Sequence, residues 1–408
     1  MKYIKFGIIL LSFMFLYGCN DAQEPDTLGY VVAIGIDKAE KEEAKYDITL
    51  QFANPVTISG GASQEGGKGG KESIKNITVT APGIYSAVNV ANHVVSKVFT
   101  LSHTKVVVFS EEIARRGIED ILETIGRSSD IRPNTYFTVC KTSAKEFLES
   151  VNPETEINPT RYYTMLFEND FSGFVPQTKS QDFYFFANSS EKNTVLPLSS
   201  KAERKGTYNF DKSGYQYKLE DFSAGEIPSE KTEIQIMGMA IFDMDRFIGE
   251  MGDIETEIYN LLTGQYKSSY VTYYFSPTPD DPITLLQSQN KKPKITVDTS
   301  GYVPKINLNV YIEADFTSST PEMAVEEHLD EFCDEASGDL KREIENFLLK
   351  TREMKADIVG FGSFAKRNFL DEKAFNDYNW KAKYPSAEIN VNVDFEVRRT
   401  GLVVRSEK

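Results

Sequence analysis

The sequence predicts an α+β protein of three mixed α/β domains, the last a long helix packed on an antiparallel sheet. Three observations carry this. Between Ser73 and Val151, short β-rich runs alternate with runs whose apolar residues recur at helical spacing. Two late segments, Ile306 to Ile312 and Ile389 to Val397, alternate apolar and polar residues, giving each one buried and one wet face. Between them Leu329, Phe332, Ala336, Leu340, Ile344, Phe347, Leu348, Thr351 and Met354 make one continuous helical stripe.

The chain starts with a short positive stretch, Met1 to Lys5, and an uncharged, almost wholly apolar run from Phe6 to Leu16. That run is too short to cross a bilayer, which takes about 20 helical residues, and suits the middle of a secretory signal. It ends in Leu16-Tyr17-Gly18-Cys19, with polar sequence from Asn20. This stretch resembles the lipobox of bacterial lipoproteins, Leu-x-(Gly/Ala)-Cys. The resemblance implies that the Cys19 thiol takes a diacylglyceryl group and that a peptidase cuts before it. Residues 1–18 are then a signal peptide and 19–27 a lipidated tether. Two acyl chains make a lasting anchor where one would be marginal.

With 408 residues, 40% of them hydrophobic, the chain can build several real cores. Its net charge of −16 argues against a nucleic-acid partner and against a second, electrostatic grip on anionic lipid. Cys140 and Cys333 fall in apolar settings and read as two buried free thiols rather than a bridge.

The N-terminal domain, 28–151, opens with a hairpin of Leu28 to Asp37 and Tyr46 to Ala53. A Gly-rich loop, 59–71, follows; the residues around Lys68 and Lys71 do not match a phosphate-binding loop. Strands are expected at Ile74 to Thr80, Thr104 to Phe109 and Asn134 to Cys140. A helix opened by Pro82 and another capped by Ser110, with Glu111 and Glu112 in its first turn, lie between them. Ile118, Ile121, Leu122 and Ile125 form the second helix's inner stripe, ended by Gly126. Ala144 to Val151 is a last short helix. The middle domain, 152–265, carries a helix at Thr160 to Phe167, strands at Tyr215 to Leu219 and Ile234 to Phe242, a turn at Asp243-Met244-Asp245-Arg246 with Phe247 to Glu250 returning, and a helix from Ile254 to Leu262 ended by Gly264. The C-terminal domain, 266–402, has strands at Ser269 to Phe275, Pro293 to Asp298 and Val303 to Phe316. Its long helix starts at Thr320 as N-cap and Pro321 as first residue and reaches Lys355, about 50 Å at 1.5 Å per residue. The final strand, Ile389 to Val397, is expected to pair with the Ile306 strand, both facing this helix.

Signals for catalysis are sparse. Neither a Cys-x-x-Cys nor a His-Glu-x-x-His pattern is present, so zinc has no support, and no serine sits in a nucleophile-elbow motif. Ser102-His103 is an adjacency and not a triad. Glu326, Glu327, Asp330, Glu331, Asp334 and Glu335 read as a solvated helix face, and Asp243 and Asp245 as an ordinary turn. Arg398 and Arg399 read as structural partners of carboxylates.

Several stretches resemble one family. They are Leu28-Gly29-Tyr30-Val31-Val32-Ala33-Ile34-Gly35-Ile36-Asp37, Gln51-Phe52-Ala53-Asn54-Pro55, His103 to Glu112 and Asp130-Ile131-Arg132. Most specific are Ala356-Asp357-Ile358-Val359-Gly360-Phe361-Gly362 and Val397-Arg398-Arg399-Thr400-Gly401-Leu402. Together they resemble the Ger(x)C spore germination lipoproteins. That family often places two Trp between the last two motifs; Trp380 fits one and Phe375 takes the place of the other. The resemblance implies a non-enzymatic subunit of a nutrient germinant receptor. It would act with polytopic A and B membrane subunits from the outer face of the inner spore membrane, with direct nutrient contact left open. The other reading, a solute-binding lipoprotein of a nutrient importer, shares the anchor and size but expects a second alternating α/β half, which the sequence after residue 150 lacks. Cys19, as lipid attachment, is the one residue assigned a chemistry; no catalytic, metal or cofactor-binding residue is assigned.

Overall fold

The computed structural model describes residues 27–41, 44–53, 74–151, 156, 158–168, 173–202, 210–211, 218–219, 222–227, 234–275, 282–318 and 328–399. Cys19, the Gly-rich loop and the expected helix start at Thr320 and Pro321 lie outside these residues, as do Glu326 and Glu327 of the acidic run.

Strands β1 (Leu28–Lys38), β2 (Tyr46–Ala53) and β3 (Ile74–Ala81) form an antiparallel meander, so the expected hairpin is there. The chain then runs through α1 (Ile84–Val94), β4 (Val98–Thr100), β5 (Val106–Ser110), α2 (Glu111–Arg116), α3 (Glu119–Arg127), β6 (Tyr136–Cys140) and α4 (Ala144–Ser150). It continues through α5 (Pro159–Phe167), α6 (Ser180–Ala187), β7 (Thr194–Lys201), the two-residue strands β8 (Phe210–Asp211) and β9 (Lys218–Leu219), β10 (Ile234–Asp243), β11 (Arg246–Met251) and α7 (Asp253–Thr263).

One sheet gathers nine of these strands in the order β11-β10-β7-β6-β5-β1-β2-β3, with β4 also beside β1. Its centre, β1-β5-β6-β7, is parallel and its flanks are antiparallel. Every residue of β5 and β6 is buried. A parallel strand needs a crossover, and the crossover helices cover both of its faces. One core packs Ile34, Val107 and Phe137 with α1, α3 and Phe183 of α6. The other packs Ala33, Val106 and Val108 with Phe147, Leu148, Tyr163 and Phe167 of α4 and α5. The hydrogen bonds between β6 and β7 carry this sheet across the domain boundary expected between 151 and 152.

The single helix expected after Ser110 is two. Gly117 breaks it at φ +116, a backbone conformation that suits glycine, and a Cβ there would lie 2.5 Å from Asp245 Oδ2. The turn between β10 and β11 enters the break: Ile118 N–H donates to the Asp245 carbonyl at 3.1 Å and Glu119 N–H to Asp245 Oδ2 at 3.2 Å. Gly126 is therefore inside α3 and not its end. Ser110 holds the N-cap position of α2 without a side-chain cap bond; its Oγ is buried with no partner among the described residues.

The C-terminal sheet has β12 (Ser268–Tyr274), β13 (Pro282–Ser288), β14 (Lys294–Asp298), β15 (Lys305–Ser318) and β16 (Glu388–Arg399), with the long helix α8 (Leu329–Glu353) between the last two. β13 and β14 follow one another along one edge of β15. β16 takes the other edge over Lys305↔Glu388 to Ala314↔Val397, as expected from the alternation, and it runs parallel while the rest is antiparallel. α8 buries Phe332, Ala336, Leu340, Ile344, Phe347 and Leu348 against Leu308, Val310, Ile312, Val391 and Phe395. Each large side chain so buried contributes about 1.5–3 kcal/mol. The helix also reaches the open edge of β16: Ser337 Oγ donates to the Val393 carbonyl at 2.8 Å. An edge bonded in this way is a poor template for another strand.

Candidate functional site: a caged aspartate between the two sheets

After α8 the chain passes through Lys355 at φ +55 into Ala356-Asp357-Ile358-Val359-Gly360-Phe361-Gly362. Three short helices follow, α9 (Phe361–Ala365), α10 (Glu372–Tyr378) and α11 (Trp380–Lys383). The Asp357 residue is 1% exposed. Its Oδ1 accepts Gly360 N–H at 2.8 Å and Phe361 N–H at 3.0 Å; its Oδ2 accepts Gly362 N–H at 2.8 Å and the Trp380 indole N–H at 2.8 Å. Gly360, at φ +89, turns successive N–H groups inward to form this cradle. Burial pushes the Asp357 carboxyl above its ordinary range, against the pull of the four donors.

The loop between α6 and β7 closes over the cradle from the first sheet. Asn193 N–H donates to the Asp357 carbonyl at 2.8 Å. A Cβ on Gly362 would overlap the Glu191 carbonyl and lie 2.6 Å from the Trp380 ring, so only glycine lets the two strands of chain pass. Glu191 accepts Lys366 Nζ at 2.7 Å and Ser363 Oγ at 2.9 Å, and Ser190 Oγ donates to Asn376 Oδ1 at 2.8 Å. Lys192 lies with its Nζ 4.0 Å from the Phe186 ring centroid. Burial lowers its pKa, and the charges of Asp357, Asp182 and Glu191 partly restore it. Asn193 Nδ2 also bonds Asp243 Oδ1 at 3.1 Å, which Lys381 reaches at 3.3 Å.

Four N–H donors occupy the Asp357 oxygens and leave no room for substrate. The carboxylate is a buried charge hydrogen-bonded by residues 360–380 of its own segment, and the loop from the first sheet meets it through the Asn193 N–H bond to the Asp357 backbone carbonyl. Sequence reading found the Asp357 motif and Trp380 but not the loop 188–193 that meets them, which carries no periodicity of its own. Phe375 is buried and packs edge-on against Phe369 at 5.6 Å, an aromatic filler beside Trp380.

The other candidates are dispersed. His328 pairs with Glu331 at 3.1 Å, and among the described residues no group of three or more His, Cys, Asp or Glu is placed to hold a metal ion. Ser102 Oγ is 3.0 Å from His103 Nδ1, and among the described residues no carboxylate bonds that imidazole, which instead packs edge-on against Tyr30 at 4.9 Å. Arg398 pairs with Glu313 at 2.7 Å and Arg399 with Asp315 at 3.9 Å, the structural role expected of them. Cys140 and Cys333 are free, Cys140 fully buried with its thiol pushed up to about 11 by burial, and Cys333 only partly buried. No helix among the described residues is long and apolar enough to cross a membrane.

Fold and site thus define an α+β protein whose two large sheets meet at the segment of a caged aspartate. Residues 21–201 match the family described as "Spore germination protein N-terminal domain", and residues 237–401 match "Spore germination B3/ GerAC like, C-terminal". The chain is 26% identical to spore germination protein KC of Bacillus subtilis (strain 168), over 97% of this chain and 95% of that one. It is 18% identical to spore germination protein GerQC of Bacillus cereus, over 97% and 98%. The crystal structure of the GerBC protein superposes with a TM-score of 0.54 at 15% identity, covering 90% of this chain and 98% of that one, which shows a shared fold. The chain belongs to the Ger(x)C family of spore germination proteins.

Proposed function

We propose that this germination protein is the lipid-anchored, non-enzymatic C subunit of a nutrient germinant receptor, acting with A and B membrane subunits at the outer face of the inner spore membrane. The observation that carries the reading is the match to both family domains over nearly the whole chain, together with the Leu16-Tyr17-Gly18-Cys19 stretch at its start. The caged Asp357 supports a scaffolding role, since its carboxylate oxygens are taken by four N–H donors and its segment is bonded to the first sheet's loop through Asn193 and Glu191. The two sheets differ in strand number and order, unlike the paired lobes of an importer's solute-binding protein.

Affinity capture of the tagged protein from detergent-solubilised spore membranes tests this. Two polytopic proteins should co-purify, the N-terminal peptide should carry acyl mass at Cys19, and Cys19→Ala should lose both. Capture of an importer permease, or an unacylated Cys19, would overturn the reading.

A further inference from the structure

A pocket of about 280 Å³ opens between α3, α6 and the segment that leads into β6. Its floor is Leu122, Ile125, Ile131 and Phe137, all nearly buried. Tyr184 and Phe185 line it while staying 54% and 70% exposed, a pair of aromatic walls with one side open. Apolar surface left open beside a cavity marks a binding site more often than chance exposure of single residues does.

Arg132 lines the same pocket and is exposed. Among the described residues its guanidinium has neither an ion pair nor a hydrogen bond, and the side-chain amide of Gln181, also lining the pocket, has no partner either. On the neighbouring helices Arg115 is paired with Glu111 at 2.7 Å and Arg127 with Glu123 at 2.5 Å, so among the described residues the free guanidinium at the pocket is Arg132. The segment holding Arg132 is braced: Ser128 Oγ accepts Asp130 N–H and Ile131 N–H at 3.1 Å each and shares a 2.5 Å hydrogen bond with Tyr85 Oη. Ile131 and Arg132 belong to the Asp130-Ile131-Arg132 motif, which the sheet-to-sheet junction does not use.

We propose that this pocket binds a small carboxylate with an apolar body, the body lying on the Ile125–Phe137 floor and the carboxylate on Arg132. A guanidinium presents a planar fork of donors that matches a carboxylate in two bonds, and Gln181 can supply a third. The volume limits the body to on the order of ten non-hydrogen atoms. The site lies wholly within the first sheet's layers and does not depend on the anchored-subunit reading.

The test is calorimetric titration of the full-length, detergent-solubilised protein with phenylacetate and 4-methylpentanoate, against phenylacetamide and acetate. Saturable binding of both apolar carboxylates is expected, with phenylacetamide and acetate at least about tenfold weaker, the loss that follows from one charge-assisted contact or one buried body. Arg132→Gln alters an exposed, unpartnered side chain, so it should melt as the native protein does and bind phenylacetate about tenfold more weakly. Gly126→Ala gives a second arm: its Cβ would lie 2.9 Å from the Tyr184 ring, so it should crowd the aromatic wall and weaken both apolar ligands. Three outcomes would overturn the proposal: no saturable binding up to about 10 mM, equal affinity for phenylacetamide, or an Arg132→Gln protein that binds as tightly as the native one.

Discussion

The indole N–H of Trp380 donates to Asp357 Oδ2 at 2.8 Å, and both residues are 1% exposed. Trp380 is the chain's single tryptophan, so its fluorescence reports on this junction between the two sheets, which also share one apolar core. Replacing Asp357 with Asn puts an NH2 where an N–H donor now points and removes the charge from four hydrogen bonds. Asp357→Asn should cost about 2–4 kcal/mol, and Trp380→Phe about 1.5–3 kcal/mol through the lost charged bond. Urea denaturation followed by circular dichroism measures both; a midpoint equal to that of the native protein would refute a stabilising role for the caged carboxylate.

Gly362 and Gly338 should respond in opposite directions to alanine. At Gly362 a Cβ overlaps the Glu191 backbone, which cannot swing aside as a side-chain tip can. Gly362→Ala should destabilise by about 1–3 kcal/mol or more. Gly338 lies inside α8, where the nearest atom to an added Cβ is Arg342 Nη1 at 3.7 Å. Gly338→Ala should stabilise by up to about 1 kcal/mol. The pair of melting curves decides between a tight junction and a merely glycine-rich one.

Acid should loosen the junction in a defined direction. Burial pushes the Glu191 carboxyl up, but Lys366 and Ser363 together hold it below its ordinary value of 4.5. A depressed carboxyl contributes stability that is present above the ordinary value and lost as pH falls through the lower folded-state value. Lys366 is 35% exposed, so the contribution is no more than about 1 kcal/mol. Glu191→Gln should therefore lower stability at pH 7 and converge with the native protein in acid. A gap between the two that persists or widens on acidification would contradict the assignment.

Cysteine reactivity separates the two thiols. With its thiol pushed up to about 11, Cys140 has on the order of one part in a thousand as thiolate at pH 8, and it is fully buried. Alkylation read by mass spectrometry should leave Cys140 unmodified until the protein unfolds, while the partly buried Cys333 reacts slowly in the native state. Equal labelling of both would show that the first sheet opens readily.

Much of this architecture was legible in local pattern. The apolar stripe from Phe332 to Thr351 and the alternation of Ile306 to Ile312 and Ile389 to Val397 mark faces that must be buried together, and they are. The Asp357 motif and Trp380 were visible as residues, but the loop 188–193 that completes their site was not. Helix α6 and strands β4, β7 and β13 were also missed: β4 has only three residues, β7 is a buried run without alternation that contains Pro197, and β13 opens on Pro282.

By itself the sequence determined the order of most elements and the buried face of each, because periodicity acts within a few residues. Tertiary structure alone decided that β16 joins β15 in parallel, that Asp245 breaks the helix at Gly117, and that Asn193 and Glu191 close over Asp357 and Gly362. Each of those pairings joins residues more than 70 positions apart, so its energy depends on where the packed layers bring the chain and leaves no periodic trace in either partner's neighbourhood.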